Sequence, residues 1–186
     1  LKSVILSKSL SDWEGLTFYL CDALESVIIP EGITSIPAST FYGCLSLANV
    51  VLPDSVQKIG SSAFVRTAIA TINIPEGVET IYEHAFAKLT ALEEVVLPST
   101  LKHIDQYAFD GCEKLASVAI NAAVIPTGTF NECKALSDVT IGKDVSVIIE
   151  YAFRGTAISK FKVADGNETF VSHNGGEYLT NKAGDE

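Results

Sequence analysis

The sequence lacks the short motifs that most enzymatic chemistry requires. It contains no nucleophile elbow, no phosphate-binding loop and no pair of histidines at metal-ligand spacing. Its three histidines, His84, His103 and His173, fall at different kinds of position along the chain. The sequence therefore predicts a protein that is not an enzyme and that has no catalytic, cofactor-binding or metal-binding residues.

Basic residues are also scarce. The chain has 13 lysines and arginines against 23 aspartates and glutamates, which gives a net charge of −10. This balance argues against nucleic acid or an anionic membrane surface as the partner, because both attract positively charged proteins. The sequence has no apolar run of about 18 residues, so it predicts no insertion of this segment into a membrane.

What the chain does have is a phenylalanine at intervals of 21 to 23 residues: Phe18, Phe41, Phe64, Phe86, Phe109, Phe130 and Phe153. A repeat of this length is typical of a solenoid, because one unit cannot bury its own strand and must stack on copies of itself. The apolar residues of each unit keep their register relative to its phenylalanine. The sequence thus predicts one elongated array in which the phenylalanine rings stack.

Each repeat carries a strand pattern that ends at a proline. The segment Leu-x-x-Val-x-Ile-Pro alternates inward and outward side chains, and the proline lacks the N–H that would continue the ladder. Pro30, Pro53, Pro75 and Pro98 occupy this position. The stretch before each phenylalanine, such as residues 59–64 (IGSSAF), is rich in small and polar residues, and we predict a 3₁₀-helix or a one-turn helix there.

The combined pattern, AFxxCxxLxxVxIPxxVxxI, resembles the BspA-like subclass of leucine-rich repeats through nearly all of the chain. The resemblance implies an α/β, β-rich fold: a right-handed solenoid with a parallel sheet on one face and short 3₁₀ or helical turns on the other. It also implies an extracellular or cell-surface location, mostly in bacteria. The repeats of Phe64 and Phe153 depart from the pattern, with Thr67 and Thr156 in place of cysteine and one residue fewer before the next strand.

The pattern divides the chain into two regions. Residues 1–165 are predicted to form an array of about seven to eight rungs. The first residues overlay the interior of the next repeat, so we expect the array to begin inside a rung and to continue upstream. Residues 166–186 are predicted to form two short strands around an Asn-Gly-Gly turn. This hairpin is either a cap or a spacer before more repeats.

The four cysteines occupy one interior column of the array. Cys21 and Cys44 lie on neighbouring rungs, as do Cys112 and Cys133. Side chains that point the same way in a parallel stack keep their Cβ atoms too far apart for a normal disulfide, so we predict free, buried thiols that pack as small apolar groups. No Cys-x-x-Cys pair is present to favour a metal site.

Acidic residues form a stripe after the strand-ending prolines. Glu31, Asp54 and Glu76 occupy equivalent positions on three consecutive rungs. A cation such as Ca²⁺ could bridge their oxygens, or the stripe could serve only as a solvated acidic surface. The second interpretation is favoured, because the next rungs carry Ser99 and Ala122.

The outward positions of the strands form the candidate binding face. They make a column that is apolar at its start and polar at its end. An exposed apolar ladder of this kind is typical of a partner site, although β-branched residues suit strands in general. The residues that we assign to the site are Ile5, Ile28, Val51, Asn73, Val96 and Thr140.

The resemblance and this column predict an adhesin-type protein-interaction module. Its partner would be a host extracellular matrix protein, a mucosal surface protein or a protein on another bacterium. One alternative is a structural spacer array that presents another domain. A second alternative is surface glycan recognition, which would need aromatic platforms or paired carboxylates that the outward columns do not offer.

Overall fold

A short strand recurs once in every repeat and pairs with the equivalent strand of the next repeat. The computed structural model describes residues 2–7, 13–173 and 178–182. Numbered in chain order, the strands of a first ladder are β1 (Ser3–Ile5), β2 (Ser26–Ile28), β4 (Asn49–Val51), β6 (Thr71–Asn73), β8 (Glu94–Val96), β10 (Ser117–Ile120), β12 (Asp138–Ile141) and β14 (Lys160–Val163). A second ladder of shorter strands contains β3 (Ser35–Ile36), β5 (Lys58–Ile59), β7 (Thr80–Ile81), β9 (His103–Ile104), β11 (Val124–Ile125) and β13 (Val147–Ile148).

Both ladders are parallel and keep the register of the repeat. Val4 pairs with Val27, and Val27 pairs with Val50. Pairing in the first ladder runs through β1, β2 and β4 and then from β6 to β14, and pairing in the second ladder breaks between β9 and β11. The chain is therefore a parallel-sheet β-solenoid of about seven turns with the leucine-rich-repeat arrangement, as predicted.

The phenylalanines form the spine of the core. Rings of neighbouring repeats stack with centroids 5.2 to 5.7 Å apart and planes within 15° of parallel. The rings from Phe41 to Phe130 are fully buried, whereas Phe18 and Phe153 at the two ends are partly buried. Inward residues of the strands, such as Val27 and Ile72, pack beside this stack. The predicted column of stacked rings is confirmed.

No helix occurs in the described residues, so the predicted 3₁₀ or helical turns before the phenylalanines are wrong. A helix needs consecutive residues with negative φ, but the residues two before and two after each phenylalanine have positive φ. They are Leu16, Leu20, Ser39, Gly43, Ser62, Arg66, His84, Lys88, Tyr107, Gly111, Gly128, Glu132, Tyr151 and Gly155. Within the described part of the chain there is likewise no helix that could span a membrane.

The backbone N–H groups of each turn form two kinds of hydrogen bond. In the repeat of Phe41, the N–H groups of Ser39, Phe41 and Gly43 each donate to a carbonyl of the next repeat at 2.8 Å. The N–H groups of Tyr42 and Cys44 instead donate to carbonyls three residues earlier in the same repeat, at 3.3 and 3.2 Å. The turns of neighbouring repeats are thus tied together by their backbones, which a helix would not allow because its N–H groups bond within the segment.

An antiparallel pair, β15 (Phe170–His173) and β16 (Tyr178–Asn181), follows the array. The buried side chain of Asn167 links it to the preceding repeat. Its Nδ2 donates to the carbonyls of Gly142 at 2.7 Å and Val145 at 3.0 Å, and its Oδ1 accepts the N–H of Phe170 at 2.7 Å. The predicted Asn-Gly-Gly turn lies outside the described residues, and the role of residues 166–186 as a cap or a spacer stays a prediction.

Candidate functional site

The predicted binding residues occupy outward positions of the first ladder. Ile5, Ile28 and Val51 pair in register on β1, β2 and β4, and Asn73 pairs with Val96 on β6 and β8. Their neighbours on the same strands, such as Val27, point into the core. The exposed fractions of Ile5, Ile28 and Val51 are 77%, 46% and 56%, and that of Val96 is 66%. The structure therefore brings these side chains into one exposed column.

The two ends of the column differ in charge. At the polar end, Thr140 pairs with Lys162, whose ammonium group donates to the Asp138 carboxylate at 2.7 Å. At the apolar end, the residues that precede Ile5 and Ile28 by two positions are Ser3 and Ser26, which carry no charge. The apolar end is thus a stripe of aliphatic side chains beside small polar ones.

The acidic residues after the prolines accept hydrogen bonds between neighbouring repeats. Glu31 Oε1 accepts the N–H of Asp54 at 3.3 Å. Glu76 Oε2 accepts the N–H of Ser99 at 2.9 Å and its hydroxyl at 2.7 Å. Within the described ranges, no group of three or more His, Cys, Asp or Glu side chains is arranged to hold a metal ion. The carboxylates of Glu31 and Glu76 thus form hydrogen bonds that connect neighbouring repeats.

The cysteine column connects each repeat to the phenylalanine before it. The four cysteines are unbridged, and Cys44, Cys112 and Cys133 are buried. Their thiols donate to the carbonyls of Phe18, Phe86 and Phe109 at 3.0, 3.2 and 3.1 Å respectively. The column therefore supplies a hydrogen bond between repeats as well as apolar packing.

Two of these thiols, those of Cys44 and Cys112, are poor nucleophiles. Burial raises the pKa of the Cys44 thiol to about 11. Burial, followed by a hydrogen bond with Cys133, also raises the pKa of the Cys112 thiol. Because the thiolate is the reactive form of cysteine, both groups stay protonated near neutral pH and act as hydrogen-bond donors.

A cleft of about 610 Å³ opens beside the short repeat of Phe64. Two residues separate Cys44 from Leu47 in the repeat before it, but Ala68 alone separates Thr67 from Ile69. The cleft lies between the full-length repeats on either side. The side chains around it include Tyr42, Leu45, Arg66, Thr67, Ala68 and Thr90. The sequence pattern reveals the missing residue, but it did not predict the cleft.

Thr67, in the cysteine column of the short repeat, has an unusual environment. Its side chain is buried, with 4% of the residue exposed. Among the described residues, its hydroxyl is the one buried side-chain oxygen or nitrogen without a hydrogen-bond partner. The equivalent Thr156 of the other short repeat donates to the Phe153 carbonyl at 2.8 Å. The cleft thus lies next to an unsatisfied polar group.

Comparison with known proteins identifies relatives of the repeat. The family model described as "BspA type Leucine rich repeat region" matches residues 1–92 and 57–174, in 6 copies. No curated protein matches the sequence.

Solved structures show the same arrangement. The T. pallidum leucine-rich-repeat protein TpLRR is 28% identical with a TM-score of 0.73, and the match covers 78% of this chain and 72% of that one. A leucine-rich-repeat protein from Bacteroides ovatus is 29% identical with a TM-score of 0.80, covering 89% and 44%. The pneumococcal vaccine antigen PcpA, at 22% identity and a TM-score of 0.65 over 98% and 47%, is similar in fold. The match therefore spans less than half of the Bacteroides ovatus and pneumococcal chains.

Proposed function

Because the chain belongs to the BspA-type leucine-rich-repeat family, whose fold is a general protein-interaction scaffold, we propose that it is an extracellular or cell-surface module that binds a protein partner. In this proposal the partner is a protein of the host extracellular matrix, of a mucosal surface or of another bacterium. The binding face is the outward column of the first ladder: Ile5, Ile28, Val51, Asn73, Val96 and Thr140.

One observation carries the proposal: three large aliphatic side chains are exposed side by side. Ile5, Ile28 and Val51 are in register on neighbouring strands, and each exposes at least 46% of its surface. Equivalent side chains of parallel strands lie about 4.8 Å apart, so the three form a continuous stripe. Burying such a stripe favours association by about 25 cal/mol for each Å² of apolar surface removed from water.

The charge distribution suggests how a partner is oriented. The stripe has small polar neighbours, whereas the other end of the column carries the ion pair of Lys162 with Asp138. Apolar contact at one end would supply the affinity, and charged groups at the other end would select the orientation of the partner. A partner that fits this face has an apolar ridge flanked on one side by charged residues.

A pair of Val→Glu variants tests the face. Extracellular matrix and mucin fractions are passed over the immobilised chain, and each retained protein is purified and its affinity measured. Val51→Glu should weaken the binding, because it places a charge in the stripe. Val124→Glu is the matched control, since Val124 lies on β11 of the second ladder and is also exposed, at 39%. Both variants must retain the melting temperature of the parent chain.

The outcomes separate the three functions. Binding that Val51→Glu leaves unchanged would contradict the proposed face. Failure of the chain to retain any matrix or mucin protein would favour the spacer function instead. Binding that is lost when the retained protein is deglycosylated would favour glycan recognition.

A further inference from the structure

We propose that the cleft beside the repeat of Phe64 is a second binding site, and that it takes an extended peptide segment with a carboxylate next to an apolar side chain. The cleft lies on the connection between the phenylalanine turn and the first ladder, outside the outward column. The proposal therefore does not rest on the function proposed above.

One wall of the cleft is apolar and exposed. Leu45 exposes 59% of its surface although it belongs to an otherwise well-packed repeat. Tyr42 lies beside it in the cleft, and its ring stacks on that of Tyr19 with centroids 5.1 Å apart. A leucine and a stacked tyrosine that line the same cleft offer an apolar surface for an apolar side chain.

The cleft also carries a positive charge without a counterion. Lys88 lies 2.8 Å from the carboxylate of Asp110, which is nearly buried, so its charge is compensated. The guanidinium of Arg66, in contrast, is exposed and has no carboxylate partner among the residues that the structure describes. In a chain with a net charge of −10, this arginine makes the cleft a local site for an anion.

The unpaired hydroxyl of Thr67 lies behind the surface of the cleft. A buried polar group without a partner is destabilising, so native structures leave few of them. Thr67 is one of the residues that line the cleft, but its hydroxyl oxygen is itself inaccessible to solvent. A ligand in the cleft therefore contacts Arg66, Tyr42 and Leu45 rather than this oxygen.

Size and chemistry favour a peptide carboxylate over an inorganic anion. A volume of about 610 Å³ is within the range of small-ligand sites and exceeds what one ion fills. Phosphate sites usually combine several cationic or backbone donors, whereas Arg66 is the one uncompensated cation among the residues that line this cleft. The apolar wall of Tyr42 and Leu45 would have no function toward phosphate.

Two capped tetrapeptides test the site. Acetyl-Gly-Leu-Glu-Gly-amide carries the proposed pair of side chains, and acetyl-Gly-Leu-Gln-Gly-amide lacks the charge. Titration of the ¹⁵N-labelled chain should shift the amide resonances of Arg66, Thr67 and Ala68 with the glutamate peptide. The glutamine peptide should bind about tenfold more weakly, as expected when a charged hydrogen bond is lost.

Substitutions in the cleft test which side chains contact the peptides. Arg66→Gln should remove the preference for the glutamate peptide, and Leu45→Ser should weaken the binding of both peptides. Arg154→Gln is the matched control in the other short repeat, where the guanidinium lies 5.9 Å from the Tyr151 ring centroid, and it should change nothing. The proposal is overturned by equal affinity for the two peptides, by shifts confined to other parts of the chain, or by no shift at about 1 mM peptide, where even a weak complex is populated.

Discussion

Replacing Thr67 by valine should stabilise the protein, even though Thr67 is buried in the middle of the array. Its hydroxyl has no hydrogen-bond partner, whereas the thiols in the same column donate to phenylalanine carbonyls, as Cys44 does to Phe18 at 3.0 Å. A C–O bond is shorter than a C–S bond, which shortens the reach of a hydroxyl toward such a carbonyl. Valine has nearly the same shape and removes the unsatisfied group.

The magnitude follows from the cost of burying an unpaired hydroxyl. That cost is about 1–3 kcal/mol, and we take the lower end of this range. We therefore expect Thr67→Val to raise the free energy of unfolding by about 1 kcal/mol. For a chain of this length the melting temperature should rise by about 2–4 °C.

Thr156→Val provides the matched control. Thr156 occupies the same column in the other short repeat, but its hydroxyl donates to the Phe153 carbonyl at 2.8 Å. Losing that bond should lower the free energy of unfolding by about 0.5–1.5 kcal/mol. The two substitutions are chemically identical, so opposite signs isolate the effect of hydrogen bonding.

The assay is urea unfolding followed by circular dichroism for the parent and both variants. The slope of the unfolding free energy against urea concentration should be the same in all three, since a changed slope would indicate a change in the denatured state. A loss of stability in Thr67→Val that equals the loss in Thr156→Val would show that the Thr67 hydroxyl is satisfied. The argument for an unsatisfied group beside the cleft would then be wrong.

Two further predictions concern the core. Phe86→Ala should cost about 3–5 kcal/mol, because the buried ring stacks between Phe64 and Phe109 at 5.3 and 5.2 Å; a loss below about 1 kcal/mol in urea would contradict burial. Stability should fall as pH rises from about 9 towards 11, because the pKa of Cys44 is raised from 9.0 to about 11 and the unfolded chain releases its thiol proton first. Urea melts across this range should show a shallower fall in Cys44→Ala, and an unchanged pH profile would refute the assignment.

The parts of the fold that repeat could be predicted from the sequence. A phenylalanine every 21 to 23 residues fixes which residues are equivalent, and equivalent residues of a solenoid must stack. The alternation around each strand then separates inward residues such as Val27 from outward ones such as Ile28. Both follow from periodicity alone, which a single sequence displays.

The conformation of the turns could not be predicted in this way. Positive φ is usually marked by glycine, and Gly43 and Gly128 do occupy such positions. In other repeats the same positions hold Ser62, His84 and Tyr107, residue types that carry no such signal. The hydrogen bonds to the next repeat hold these residues in place, so their conformation depends on a neighbour that local sequence patterns do not represent.

The two candidate binding surfaces also differ in whether the sequence could predict them. The outward column is a property of the strand pattern, so Ile5, Ile28 and Val51 could be assigned to it from the sequence, although their role in binding stays a proposal. The cleft depends on the relation between three consecutive repeats. Arg66 can be recognised as the uncompensated cation of the cleft only when the pairing of Lys88 with Asp110 is known.

Where a residue is missing at the cleft, the first ladder is interrupted between β4 and β6, but the stack of phenylalanine rings continues through Phe64. In the full-length repeat of Phe41, the N–H of Leu47 donates to the carbonyl of Cys44 at 3.0 Å, within the turn. In the two short repeats an alanine N–H donates to the preceding repeat instead: Ala68 to Leu47 and Ala157 to Leu136, both at 3.0 Å.

The deletion thus exchanges a hydrogen bond within a repeat for one between repeats. Its effect on the surface depends on the neighbouring repeats. The short repeat of Phe153 is followed by the pair of β15 and β16, whereas that of Phe64 lies between two full-length repeats whose side chains become walls. We therefore expect insertion of one residue after Ala68 to close the cleft while the flanking strands keep their register.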